Sequence, residues 1–218
     1  MMEKILKILN QLEVLNETLI EQIQIGSYVI GDSDQNLMER IRSTRYTLGR
    51  LGEKLSFEKK LEALDEAKVH EIGLLAEKLM EGEHVRERFH CSEAFLLAVG
   101  SHLFEDISPM LQRVTSGLAG GVGGSHEEMC GAVVGGVLCI GGLFGRARPT
   151  EDDQPSYRLS VYYREKFIEA FGSARCVDLR NKGYGSSGHT PCGVLVARSI
   201  PVFFEAVRNR EHLFEDYK

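Results

Sequence analysis

The chain has no tryptophan, no CxxC pair, no concentrated basic face and no apolar run of membrane-spanning length. Each absence removes a class of function. Without CxxC, a thioredoxin-type dithiol and a zinc ribbon or knuckle are excluded. Without CxxCH no covalent c-type haem is expected, and the close-spaced cysteine run of ferredoxins is missing too. A net charge of −6 spread along 218 residues argues against nucleic-acid binding. The longest uncharged stretch, from Met129 to Gly145, spans 17 residues and carries a Gly131/Gly135 GxxxG pair. A spanning helix wants about 20 apolar residues, and Glu127, Glu128, Arg146 and Arg148 close both ends. No membrane span is expected.

What is present is a soluble-type composition, 43% hydrophobic and 27% charged. The opening MMEKILKILNQLEVLNE interleaves charges with aliphatics and does not read as a signal peptide. A reducing cytoplasm is therefore expected, where structural disulfides are rare. Five cysteines there point to metal ligands, redox thiols or buried packing residues.

Almost nothing alternates with period two, so the expected fold class is all-α, a helical bundle built around a glycine-rich central helix. Ile5, Ile8, Leu12, Leu15 and Leu19 form an apolar seam at coiled-coil spacing. Leu37, Ile41, Leu48, Leu51 and Leu55 mark a second stripe, and Ser56 reads as the cap of a third helix ending near Gly82. Residues 1–84 form an expected N-terminal helical region for packing or homodimer formation, and 85–218 a cysteine-bearing domain. In that domain a helix is expected from Cys91 to Phe104, and Pro109 ends it or opens the next connection. Ser125 with Glu128 reads as a capping box, which starts the glycine helix there. Pro155 opens and Gly172 stops a further helix, and Thr190-Pro191 starts the last.

Glycine inside a helix costs about 0.8–1 kcal/mol relative to alanine. Gly131, Gly135, Gly136, Gly141 and Gly142 are expected to repay that cost through close approach of another backbone or of a cofactor. The loop Gly117–Gly124 offers N–H groups at a helix start. It lacks GxxxxGK[ST] and has no strand before it, so nucleotide binding is not expected.

Helix N-termini lower thiol pKa values. Cys192, after a Thr190 cap and Pro191 in the first turn, is placed at such a site, and Cys130 is placed in the second turn of its helix. His90, His126 and His189 stand near Cys91, Cys130 and Cys192. Mixed ligation and chance adjacency both remain open for them.

The order Cys91, a glycine loop, Cys130-Gly131-Ala132-x-x-Gly135, Cys176 and Cys192 resembles the family of redox-active proteins named C_GCAxxG_C_C. The resemblance covers about residues 88–206. It implies a small redox-active protein of the kind common in anaerobic bacteria and archaea. A similar module occurs in the split-Soret cytochrome, where cysteines hold a non-haem iron–sulfur centre. Carried over by position, Cys91, Cys130, Cys176 and Cys192 are the expected redox or metal-ligating residues, with Gly131 and Gly135 beside a cofactor. Cys139 falls outside the pattern and reads as packing. The cofactor implied is an iron–sulfur cluster or other metal, and the partner an unidentified electron donor or acceptor. The rival reading is a non-enzymatic structural zinc or transport-associated regulatory protein.

Overall fold

The computed structural model describes residues 32–82, 87–185 and 190–214, with positions 7, 8, 11, 12, 14, 15, 17, 18 and 21 of the first segment. The fold is all-α: among the described residues there are eight helices and no strand, only the isolated bridges Met129–Arg175 and Tyr184–Thr190. The chain divides into two compact units, residues 1–62 and 63–218.

In the first unit, helix α1 spans Asp32–Glu62. Ser56 lies inside it, so the helix runs on past the expected cap. Ile8, Leu12 and Leu15 of the seam are helical and 54%, 42% and 65% exposed. Ile5 and Leu19 lie outside the described residues. Arg45 pairs with Glu17.

The second unit starts with α2, Glu66–Glu81, whose cap is Asp65 rather than Ser56. The Lys68 N–H donates to Asp65 Oδ1 at 2.7 Å. Helix α3 (Cys91–Leu103) follows, then α4 (Pro109–Ser116), capped by Ser108 with proline in its first turn. Helix α5, Gly131–Phe144, is the glycine helix. Helix α6 (Gln154–Phe171) has Pro155 in its first turn and stops at Gly172 with φ 81°, the left-handed cap that glycine supplies at least cost. Short α7 (Cys176–Asn181) and long α8 (Cys192–Arg208) complete the set.

Helix α5 packs against α3, α6 and α8, while α2 lies along α8. Phe95, Tyr163 and Phe203 meet edge-on or tilted between these helices, with Phe95–Phe203 and Tyr163–Phe203 centroids both 5.5 Å apart. Pro201 sits inside α8 and supplies no N–H to the Ala197 carbonyl. Gly73 of α2 lies against that carbonyl, which a Cβ at position 73 would approach to 3.1 Å. Among the described residues no helix is long and apolar enough to cross a membrane.

Candidate functional site: four thiols at helix starts

The glycine helix does not begin at Ser125. Backbone bonds claim the preceding residues first: Cys176 N–H donates to Glu128 O at 2.7 Å, and Cys130 N–H to Ala174 O at 2.8 Å. This two-bond splice ties the start of α5 to the start of α7. Ser125 accepts from the Glu127 N–H at 3.2 Å and donates to Gly121 O, a local turn in place of a cap. The helix therefore starts at Gly131 with Cys130 as its N-cap. Cys130 moves from an expected second turn to the tip.

The other three thiols occupy equivalent places. Cys91, Cys176 and Cys192 are the first residues of α3, α7 and α8. Pro191, expected inside the last helix, is instead its N-cap. All four cysteines line one cavity of about 530 Å³, and Glu77 and Met80 from the end of α2 contribute to its wall. The first-turn N–H groups of a helix have no partner within the helix, and the dipole there is positive. Four helix starts around one cavity bring positive dipole ends to where sulfur is concentrated, although at α7 the Cys176 N–H is already spent on Glu128 O.

Close packing holds this geometry. A Cβ on Gly131 would overlap Cys91 Sγ at 2.1 Å, and one on Gly135 would meet Phe95 Cβ at 2.6 Å. Gly131 lines the cavity, whereas Gly135 lets α3 and α5 approach each other one turn deeper. Gly136 accommodates the Tyr163 ring, whose hydroxyl donates to Ala132 O at 3.1 Å. The glycine loop closes the remaining side. Gly120 N–H points at Cys91 Sγ at 3.4 Å, and a Cβ on Gly121 would stand 2.9 Å from Cys176 Cβ.

Electrostatics follow from burial. The Cys130 thiol is pushed well up by desolvation and then by neighbouring Cys91, with the Ala132 amide opposing. Cys192 and Cys176 are raised by burial first and by Cys91 second, and Arg180 pulls both back. Cys91 thus acts on each of the other three. All five cysteines are free thiols. Cys139 is fully buried in α5, away from the cavity lining, as packing would place it.

His90 and His126 also line the cavity, whereas His189 lies outside the described residues. His126 Nδ1 is 3.9 Å from Cys176 Sγ. The sequence pairs His126 with Cys130 and misses this contact, because a separation of 50 positions carries no spacing signal. Among the described residues no three His, Cys, Asp or Glu side chains are arranged to hold a metal ion.

The model of the family described as "Putative redox-active protein (C_GCAxxG_C_C)" matches residues 89–205. No curated protein and no solved structure matches the chain.

Proposed function

The chain belongs to this redox-active family, and on that premise we propose that Cys91, Cys130, Cys176 and Cys192 hold one iron–sulfur cluster for electron transfer. The observation that carries the reading is the convergence of four thiols, each at a helix start, on one cavity. Four cysteine thiolates are the usual ligand set of such clusters. A single zinc ion needs its sulfurs about 2.3 Å from one point. The four thiols line a cavity of about 530 Å³, which has room for a group larger than a single ion. That favours a polynuclear group bridged by its own sulfide over the structural zinc alternative.

The group, when bound, supplies one-electron chemistry. The chain's own residues fix how that chemistry is housed. The Ala132 amide in the first turn of α5 bonds the Cys130 sulfur, and the positive ends of helices offset the cost of gathering negative charge in a partly buried site. The Gly120 N–H holds the Cys91 sulfur. The Cys130–Ala174 and Cys176–Glu128 backbone bonds lock two helix starts together, so the sulfurs keep their separation as charge changes. The reading places the protein in a reducing cytoplasm with an electron-transfer partner. It also gives the exposed seam of Ile8, Leu12 and Leu15 a second copy of the chain as cover.

The test is iron and acid-labile sulfide content, with the visible spectrum, of protein purified without oxygen. Brown protein with iron and sulfide in comparable amounts is expected. Cys91→Ser, Cys130→Ser, Cys176→Ser and Cys192→Ser should each lose the spectrum, and Cys139→Ser should keep it. Colourless protein carrying zinc in one-to-one ratio would reject the cluster in favour of the structural-metal alternative.

A further inference from the structure

Five consecutive residues, Gly120 to Gly124, have φ between 60° and 73°, and His126 follows at 63°. A run of this kind is a left-handed turn. Each L-residue in it costs about 1–2 kcal/mol, and only glycine adopts the conformation freely. Among the described residues Val122 and His126 are the only non-glycines with positive φ. The turn is closed by backbone bonds that reach back from its exit, with His126 N–H donating to Gly120 O at 2.8 Å and Glu128 N–H to Gly121 O at 3.3 Å. His126 and the Cys176 side chain lie against it. A Cβ on Gly120 would meet His126 Cε1 at 3.5 Å, and a Cβ on Gly121 would stand 2.9 Å from His126 Cα. Gly121 therefore makes room for the His126 backbone and for Cys176, while the imidazole packs in ordinary contact with Gly120. The imidazole reaches the cavity mouth, where Nδ1 lies 3.9 Å from Cys176 Sγ, a hydrogen-bonding distance for sulfur.

We propose that His126 is a positioning residue for the Cys176 sulfur, donating its Nδ1–H to that sulfur from a left-handed turn shaped to hold the imidazole there. The inference rests on the reading of Cys176 as part of the redox centre. It adds that one of the four sulfurs is held by a side-chain donor at the solvent edge of the site. The same turn presents the Gly120 N–H to Cys91, so one loop serves two sulfurs. Donors to ligating sulfurs are among the levers that set a cluster's reduction potential.

Two variants separate the donor from the backbone. His126→Gly removes the side chain where glycine is comfortable at φ 63°. His126→Asn keeps the left-handed backbone at low cost and places an amide N–H2 at the same position along the side chain as Nδ1. The first readout uses reduced protein stripped of any cofactor: the rate at which iodoacetamide alkylates Cys176, resolved by peptide mass, with Cys192 as reference in the same molecule. His126→Gly is expected to slow Cys176 about fivefold relative to Cys192, the loss of one ordinary hydrogen bond. His126→Asn is expected to recover most of the rate. The second readout is the midpoint potential of the loaded protein, which should fall in His126→Gly and return toward the parent value in His126→Asn. An unchanged Cys176 rate in folded His126→Gly protein overturns the proposal, as does an equal effect of Gly and Asn. Because alkylation is read without a cofactor, a parent protein free of iron and sulfide rejects the cluster while the His126–Cys176 pairing is still decided.

Discussion

Helix α1 runs for 31 residues through mostly charged and polar side chains, and at Gly52 there is open space where a Cβ would stand. Helix α5 is 14 residues long, carries five glycines, and at Gly131, Gly135, Gly136 and Gly142 something already occupies the place of a Cβ. By intrinsic propensity α5 is the poorer helix, its glycines costing about 4–5 kcal/mol relative to alanine. Yet its Ala132, Val133, Cys139 and Ile140 are fully buried. The contrast teaches that glycine has no fixed meaning in a helix. In α1 it is a loss of helix propensity, whereas in α5 it lets Cys91, Phe95 and Tyr163 come close to a backbone.

The sharpest way to break that contrast is to fill Gly135. Leucine improves helix propensity there but collides with Phe95, so Gly135→Leu is expected to lose about 1–3 kcal/mol or more by overpacking. Urea unfolding that finds the variant as stable as the parent would remove the packing role from α5 altogether.

A second difference between the units is that residues 1–62 contain no cysteine, whereas α5 carries fully buried Cys139. Desolvation raises the Cys139 thiol well above its ordinary value. The folded state therefore holds this proton more tightly than the unfolded state. The resulting stability is complete below the ordinary thiol pKa of roughly 8.5 and declines as pH rises above it, by about 1 kcal/mol per pH unit. Melting of reduced, cofactor-free protein between pH 8 and pH 10 should show this decline, and Cys139→Ala should make it shallower. Equal slopes in the two proteins would mean that Cys139 does not carry the effect.

Smaller changes sharpen the comparison from inside each helix. Gly141 belongs to α5 but, like Gly52, has nothing where its Cβ would be. Alanine at either position should stabilise by about 0.8–1 kcal/mol, against the loss at Gly135. A destabilised Gly141→Ala protein, measured by thermal unfolding, would show that the open space at that position is illusory. Smallest is Val122, the one non-glycine in the five-residue left-handed run. Val122→Gly relieves strain in the folded turn but loosens the unfolded chain, for a net gain of about 0.5 kcal/mol. A lower melting temperature in this variant would count against a strained Val122.

The all-α fold was legible because its punctuation is local. Pro155 and Gly172 bound α6, Pro109 opens α4, and each acts through its own backbone. The same logic failed at Ser125, whose spacing to Glu128 is that of a cap. There the backbone of Glu128 and Cys130 is committed to residues 48 and 44 positions away, at Cys176 and Ala174. No local pattern contains that bond. Ser56 misled for a simpler reason: with no breaker after Gly52, α1 continues to Glu62, and Asp65 provides the cap for α2. The four pattern cysteines were marked by a resemblance, and the helix starts at Cys91 and Cys192 were legible, but those at Cys130 and Cys176 were not, since they depend on the backbone bonds between α5 and α7. His126 was seen only as a neighbour of Cys130 in sequence, while its contact is with Cys176.

The splice between Glu128 and Cys176 has a consequence for how the protein is made. Cys91 leaves the ribosome 101 residues ahead of Cys192, the last cavity cysteine, a delay of roughly 5–20 s at ordinary rates of synthesis. During that interval the first thiols have neither their backbone tie to α7 nor the start of α8 to shelter them. The site is completed only once the start of α8 has been made, so a product stalled before Cys192 presents bare, incomplete sulfur. Loading of any cofactor at all four sulfurs therefore waits for α8, and an intact α8 is its precondition.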